Sequence, residues 1–123
     1  MAKIAIVEDD QTIALMYRLK FESEGYEVGL AKNGRLGLEL VEKMRPDIVL
    51  LDLMMPEMTG EAMLDQMRLT DWGKNIKVII MTNVGKEEAP PTLKQLGVHR
   101  YIVKAEMTPS QVAELVRYEL AEA

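Results

Sequence analysis

The sequence predicts an α/β fold: one parallel sheet of five strands with helices on both faces. Three observations lead there. Short aliphatic runs recur along the chain, at Lys3–Val7, Ile48–Leu51, Ile76–Met81 and Tyr101–Val103. Longer stretches between them carry apolar residues at helical spacing. The runs are nearly continuous rather than alternating, which is the pattern of strands covered on both faces.

Each element has its own signal. Lys3–Val7 is a short strand that stops at Glu8, Asp9 and Asp10. Gln11–Glu24 places Ile13, Met16, Tyr17 and Phe21 at helical spacing, with Gly25 as its stop. Tyr26–Ala31 is a less hydrophobic strand and belongs nearer an edge. Asn33-Gly34 reads as a turn. Leu36, Leu40, Val41 and Met44 mark a second helix, closed at Arg45 because the residue before Pro46 avoids the helical region. Pro46 and Pro56 confine the strand Ile48–Asp52, since proline has no place in a central ladder.

Gly60 to Leu69 is a third helix with Met63, Leu64 and Met67 inward, and Asp71–Asn75 is a polar loop. The strand Ile76–Met81 ends at Thr82. Residues 83–91 read as loop. Pro90-Pro91 shorten or displace the helix due next, leaving a short, weakly held one from Pro91 to Gly97. Strand Tyr101–Val103 ends at Lys104. Thr108-Pro109-Ser110-Gln111 has the order of a capping box for a last helix bearing Val112, Leu115, Val116 and Leu120.

Composition narrows the function. With 123 residues the chain is one domain by length, so 1–123 is read as a single unit with a real core. The net charge of -5 argues against direct nucleic-acid binding, which needs a basic face. Cysteine is absent, which excludes thiol catalysis and fits a reducing compartment, the cytoplasm. No apolar stretch reaches the length of a membrane span, and Met1-Ala2-Lys3 leads straight into a strand, so neither a membrane segment nor a secretory signal is expected. The ten methionines read mostly as core filler.

For such a sheet the flavodoxin-like (βα)5 order 2-1-3-4-5 needs the fewest strands. It makes strands 1 and 3 neighbours where the order reverses, and ligands bind beyond the carboxyl ends of the strands there. Those ends carry Glu8, Asp9 and Asp10, then Asp52, then Thr82, then Lys104. Adjacent carboxylates repel one another and call for a hard divalent cation with oxygen ligands, Mg²⁺ or Mn²⁺. A hydroxyl and an ammonium beside a metal-bound acid suit an oxyanion, so a phosphoryl group held on Asp52 would be neutralised by the cation, Thr82 and Lys104.

Four motifs in order carry a resemblance: Val7-Glu8-Asp9-Asp10, Leu51-Asp52-Leu53-Met54-Met55-Pro56, Met81-Thr82 and Tyr101-Ile102-Val103-Lys104. Together they resemble the response-regulator receiver domains of two-component signalling, over the whole chain. The sheet order 2-1-3-4-5 is already known for a chemotaxis receiver, so that order is precedent rather than a new deduction. The resemblance implies a phosphorelay switch that takes a phosphoryl group onto Asp52 from a sensor histidine kinase or phosphotransfer protein. It implies Mg²⁺ ligated directly by Asp9 and Asp52, by Glu8 through a water, and by the backbone carbonyl of Met54. Thr82 and Lys104 would hold the phosphoryl group, and Tyr101 would be the aromatic that moves with the threonine. The protein would be a switch that assists its own phosphorylation and dephosphorylation rather than a metabolic enzyme. It would be a monomer or weak homodimer acting on an unspecified downstream effector.

Taken singly, these residues have plain structural readings. Asp52 and Lys104 can be a sheet-end ion pair, Glu8–Asp10 a helix-capping cluster, Thr82 a loop cap and Tyr101 a half-buried strand aromatic. Asp10 reads as a helix-start residue, His99 as a solvated loop residue and Trp72 as a loop anchor. Two other function classes compete. An aspartyl-nucleophile phosphatase usually has a second acid two residues after the nucleophile, and that position is Met54. A nucleotide or flavin binder needs a Gly/Ser/Thr-rich loop after the first strand, where Glu8-Asp9-Asp10 would repel phosphate.

Three departures from the family pattern carry expectations. Ala105 replaces the usual proline after Lys104, so the Lys104–Ala105 bond should be trans. Met54 and Val84 are apolar where the family controls water attack on the acyl phosphate, so self-dephosphorylation should be slow. The proline-broken fourth helix is either a weak element biased by phosphorylation or an ordinary irregular loop.

Overall fold

The computed structural model describes residues 1–121. Its strands are β1 (Lys3–Val7), β2 (Glu27–Ala31), β3 (Ile48–Leu51), β4 (Lys77–Thr82) and β5 (Arg100–Val103). The α-helices are α1 (Gln11–Ser23), α2 (Gly34–Met44), α3 (Gly60–Arg68) and α4 (Pro109–Ala121). All strand pairs are parallel and the order is β2-β1-β3-β4-β5. The expected architecture holds, and its element boundaries lie within about two residues of those read from the sequence.

The apolar runs hide an alternation that the sheet reveals. Ala5, Val7, Val49, Leu51, Val78 and Ile80 join Val41 of α2 and Met63, Leu64 and Met67 of α3 in one core. Ile4, Ile6, Ile48, Leu50, Ile79 and Met81 join Tyr17 and Phe21 of α1 and Val112 and Val116 of α4 in the other. Successive side chains point to opposite faces, and both faces are covered. Burying each large side chain here is worth about 2 kcal/mol.

The caps explain where the helices begin. Asp10 caps α1 by accepting from the Thr12 and Ile13 amides, at 3.0 and 3.1 Å, so its helix-start reading holds. Gly25, at φ 93, ends the same helix. Thr108 and Gln111 form the reciprocal capping box of α4, with bonds of 2.8 and 3.2 Å. Asn33-Gly34 is not a turn: Asn33 caps α2 through the Leu36 amide at 2.8 Å. Arg45 leaves α2 in the left-handed region, at φ 53, rather than in the extended one.

The fourth crossover departs most from five regular helices. Two short 3₁₀ turns, Lys86–Glu88 and Pro91–Leu96, stand there, and Gly97 at φ 73 closes the second. Pro90 and Pro91 each lack an amide hydrogen, so a helix entering from Lys86–Glu88 cannot run on through them and the two turns stay separate. Trp72 is half-buried against the core, with the Arg45 guanidinium 5.8 Å from its ring, which makes it the loop anchor expected. His99 is exposed, although its Nδ1 accepts from the Val78 amide at 3.4 Å. The Lys104–Ala105 bond is trans, since there is no cis bond among the described residues.

Candidate functional site

Register brings the polar strand ends together. Val7 pairs with Leu51, Leu51 with Ile80, and Thr82 with Val103. Glu8, Asp52 and Lys104 each follow a paired strand residue, so they share one end of the sheet. The ladder continues briefly past the strands: the Glu8 amide donates to the Ala31 carbonyl at 2.9 Å, and the Asp52 amide to the Val7 carbonyl at 3.1 Å. These bonds hold both acids at the carboxyl edge, where the order of the strands reverses.

Asp52 is only 6% exposed. Its Oδ1 accepts from the Met54 amide at 3.3 Å, and its Oδ2 lies 3.1 Å from Lys104 Nζ. Glu8 is deeper, at 1% exposed, with Oε2 accepting from the Asp10 amide at 3.0 Å and Oε1 against Lys104 Nζ. One ammonium therefore bridges two acids. The strand-end pattern pairs Lys104 with Asp52; Glu8 is a second partner that the fold adds. Burial pushes the Glu8 carboxyl above its ordinary range, more strongly than Lys104 and the Asp10 amide pull it down. For Lys104, burial works downward, but the two carboxylates outweigh it and hold the ammonium above its ordinary range.

Asp9 is exposed at the rim, and carboxylate oxygens of Glu8, Asp9 and Asp52 lie within 4.8 Å of one another. Three carboxylates face one ammonium, which leaves two formal negative charges for a divalent cation to offset. Glu8 Oε1 is buried and makes no hydrogen bond of good geometry, despite its ion pair. An oxygen-only donor set with one such oxygen fits Mg²⁺.

Thr82 is fully buried at the end of β4, with Oγ1 3.4 Å from the Val84 amide. Tyr101 is half-buried, and its hydroxyl donates to the Val84 carbonyl at 2.7 Å. Burial, and then the Asp52 charge, raise the Tyr101 phenol above its usual range. Met54 is 65% exposed, Val84 is partly buried against the core, and Ala105 is exposed in the 3₁₀ turn Lys104–Glu106. The cluster proper is thus Glu8, Asp9, Asp52 and Lys104, with Thr82, Val84 and Tyr101 forming a separate hydrogen-bonded row beside it.

The model of the response regulator receiver domain matches residues 4–117 of this chain. The chain belongs to that family. Receiver domains are the switches of two-component signalling and phosphorelays, not enzymes in the ordinary sense: they are phosphorylated on an aspartate, bind Mg²⁺ at an acidic site, and work with histidine kinases, phosphotransfer proteins and output domains. This receiver is 40% identical over 102 residues to sporulation initiation phosphotransferase F of Bacillus subtilis (strain 168), covering 83% of this chain and 81% of that protein. It is 34% identical over 102 residues to the regulatory protein AtoC of Escherichia coli (strain K12), which is 83% of this chain but 22% of AtoC. Among solved structures it resembles a CheY-like receiver domain of Methanospirillum hungatei JF-1, with a TM-score of 0.88, 28% identity, and 99% and 95% of the two chains covered. No helix among the described residues is long and apolar enough to cross a membrane.

Three residues with structural weight, two of them beside the site and Arg68 at the far end of α3, carry no clear local signal in the sequence. Asn33 reads as a turn residue, yet it bridges α2 to the loop after Asp52. Gly60 reads only as a helix start, and nothing beside Arg68 in the sequence marks it. All three act through contacts more than five residues away in sequence, which helical or strand periodicity does not register. The one local hint was Asn33-Gly34 followed by helix-forming residues, which suits a cap as well as a turn.

Proposed function

We propose that Asp52 is the phosphoacceptor of this receiver and that Glu8, Asp9, Asp52 and the Met54 carbonyl hold its Mg²⁺. The observation that carries the reading is the cluster of three carboxylates within 4.8 Å, with Asp52 held by Lys104 and a backbone amide. In the transfer, an Asp52 carboxylate oxygen attacks phosphorus, and the P–N bond to the donor's imidazole breaks as the O–P bond forms. The imidazole leaves with the electron pair and takes up a proton. A bound divalent cation would supply charge neutralisation for the phosphoryl oxygens. Lys104 moves its contact from the Asp52 carboxylate to a phosphoryl oxygen, and Thr82 donates its hydroxyl to another. Tyr101 now holds the Val84 carbonyl; drawing Thr82 toward the phosphoryl group frees space for the ring to turn inward. The phosphorylated state shifts a pre-existing equilibrium, which is read by a downstream effector. The domain works as a single unit over 1–123 in the cytoplasm, as a monomer or weak homodimer.

Incubation with Mg²⁺ and a small acyl-phosphate donor tests the reading. The expected product carries one added phosphoryl group by intact mass, is lost on hydroxylamine treatment, and does not form in Asp52→Ala. A stable adduct, or an unchanged one in Asp52→Ala, would overturn it. The lifetime of the phosphoryl group gives a second expectation. The exposed thioether of Met54 cannot orient water, so hydrolysis should be slow in the parent and faster in Met54→Glu, by on the order of tenfold. Fast hydrolysis in the parent that slows in Met54→Ala would count against this role.

A further inference from the structure

We infer that Asn33 is a positioning residue for the Mg²⁺ site, acting through Glu57 on the loop that carries the Met54 carbonyl. The inference rests on the ligand set proposed above. Asn33 is 3% exposed and both ends of its amide are engaged. Oδ1 accepts from the Leu36 amide at 2.8 Å, and Nδ2 donates to Glu57 Oε2 at 2.8 Å. The opposite orientation of the amide would set two donors face to face and oxygen against carboxylate, so the two bonds select one another. Capping a helix needs only an acceptor, and serine or aspartate supplies it as well as asparagine. The amide's donor is surplus to capping, and it goes to the loop.

That loop is strained where Asn33 holds it. Glu57 lies at φ 68, a left-handed conformation that a residue with a side chain rarely adopts. The Met58 amide donates to the Pro56 carbonyl at 2.7 Å, closing a tight three-residue turn around Glu57. Such conformations persist only where the surroundings over-determine them, and they gather at functional sites. The surroundings here are the N-terminus of α2: besides the Asn33–Glu57 bond, a Cβ on Gly34 would come within 2.7 Å of the Met58 carbonyl oxygen. The far side is tied by the Gly60 amide to the Leu53 carbonyl at 2.9 Å. Met54 sits between these ties. Releasing the bridge lets Glu57 relax toward ordinary φ and shifts the Met54 carbonyl, and outer partners of this kind orient the groups that touch a metal.

Asn33→Asp separates the two tasks, because it keeps the cap and loses the donor. Calorimetric titration with Mg²⁺ alone should show binding weakened about tenfold. Asn33→Asp combined with Glu57→Gln exchanges donor and acceptor across the same bond and should return binding close to the parent. Exchange of the Met58 amide, measured without metal, should speed up in the single variant and recover in the double. Parent-like Mg²⁺ binding in Asn33→Asp, or weakening that the double variant does not recover, would overturn the inference. If Asn33→Asp does not fold, Asn33→Ser decides: its hydroxyl caps α2 and falls short of Glu57, so weakened binding supports the bridge and parent-like binding removes it. A parent that binds no Mg²⁺ refutes the proposed ligand set itself, a result distinct from any difference between variants.

Discussion

Gly60→Ala is expected to destabilise this receiver by about 3 kcal/mol or more. A Cβ at Gly60 would lie 2.1 Å from the Asp52 carbonyl oxygen and 2.9 Å from the Asp52 carbonyl carbon and the Leu53 Cα. All three are backbone atoms of the segment leaving β3, so no rotamer change can make room. Either α3 withdraws from the sheet or the end of β3 moves, and both disturb a close-packed core. Urea denaturation should show the loss directly, and thermal unfolding should fall by on the order of 10 °C. Because the displaced carbonyl is Asp52's own, the folded fraction should also accept phosphoryl groups more slowly. Gly85→Ala is the control: nothing lies within 4 Å of its would-be Cβ, and a change within about 0.5 kcal/mol is expected. A Gly60→Ala variant as stable as the control would show that α3 does not need this approach.

Arg68→Met should cost about 2–4 kcal/mol, with the damage concentrated in the proline-broken crossover. Arg68, at the end of α3, donates to four carbonyls: Nε to Leu96 at 2.7 Å, Nη1 to Gly73 and Ile76 at 2.8 Å each, and Nη2 to Gly97 at 3.1 Å. It thereby closes the second 3₁₀ turn onto α3 and ties both to the loop entering β4. Burial draws its guanidinium below its usual range, but arginine stays charged and keeps its donors. Methionine retains much of the apolar stem and removes every donor. Lysine restores the charge as a single point without the planar fork, so Arg68→Lys should recover only part of the loss. The readout that separates this from general destabilisation is amide exchange: residues 91–99 should open well before β3 does. Uniform loss of protection across the sheet would argue that Arg68 supports the whole fold rather than this crossover.

The elements and their order were legible in the sequence because their signals are local. The aliphatic run Ile48–Leu51 between two prolines, the capping box at Thr108–Gln111 and the Gly25 stop each depend on neighbours in sequence. The strand ends were legible for the same reason: an aliphatic run that stops at Asp52, Thr82 or Lys104 marks a carboxyl end whichever strand lies beside it. A parallel sheet then gathers all such ends on one edge, which is why the candidate site is legible in the sequence. The proline pair likewise announced a short fourth helix from Pro91, which the structure forms as a 3₁₀ turn.

What only the tertiary structure decided concerns which atoms meet across large separations in sequence. Lys104 meets Glu8 as well as Asp52 because register brings the ends of β1 and β3 side by side on the same sheet edge as the end of β5, and the long lysine side chain reaches back past β4 to both acids. Asn33 became a bridge rather than a turn because α2 begins against the Pro56–Met58 turn. Gly60 had to lack a side chain because α3 starts within contact of the Asp52 backbone, and Arg68 found four acceptors because two segments, the end of the second 3₁₀ turn and the loop entering β4, present carbonyls to one place. Periodicity, caps and turn residues report on the chain within a few residues. The distances that hold Asp52 in place are set by how helices seat on a twisted sheet, and no local pattern encodes that seating.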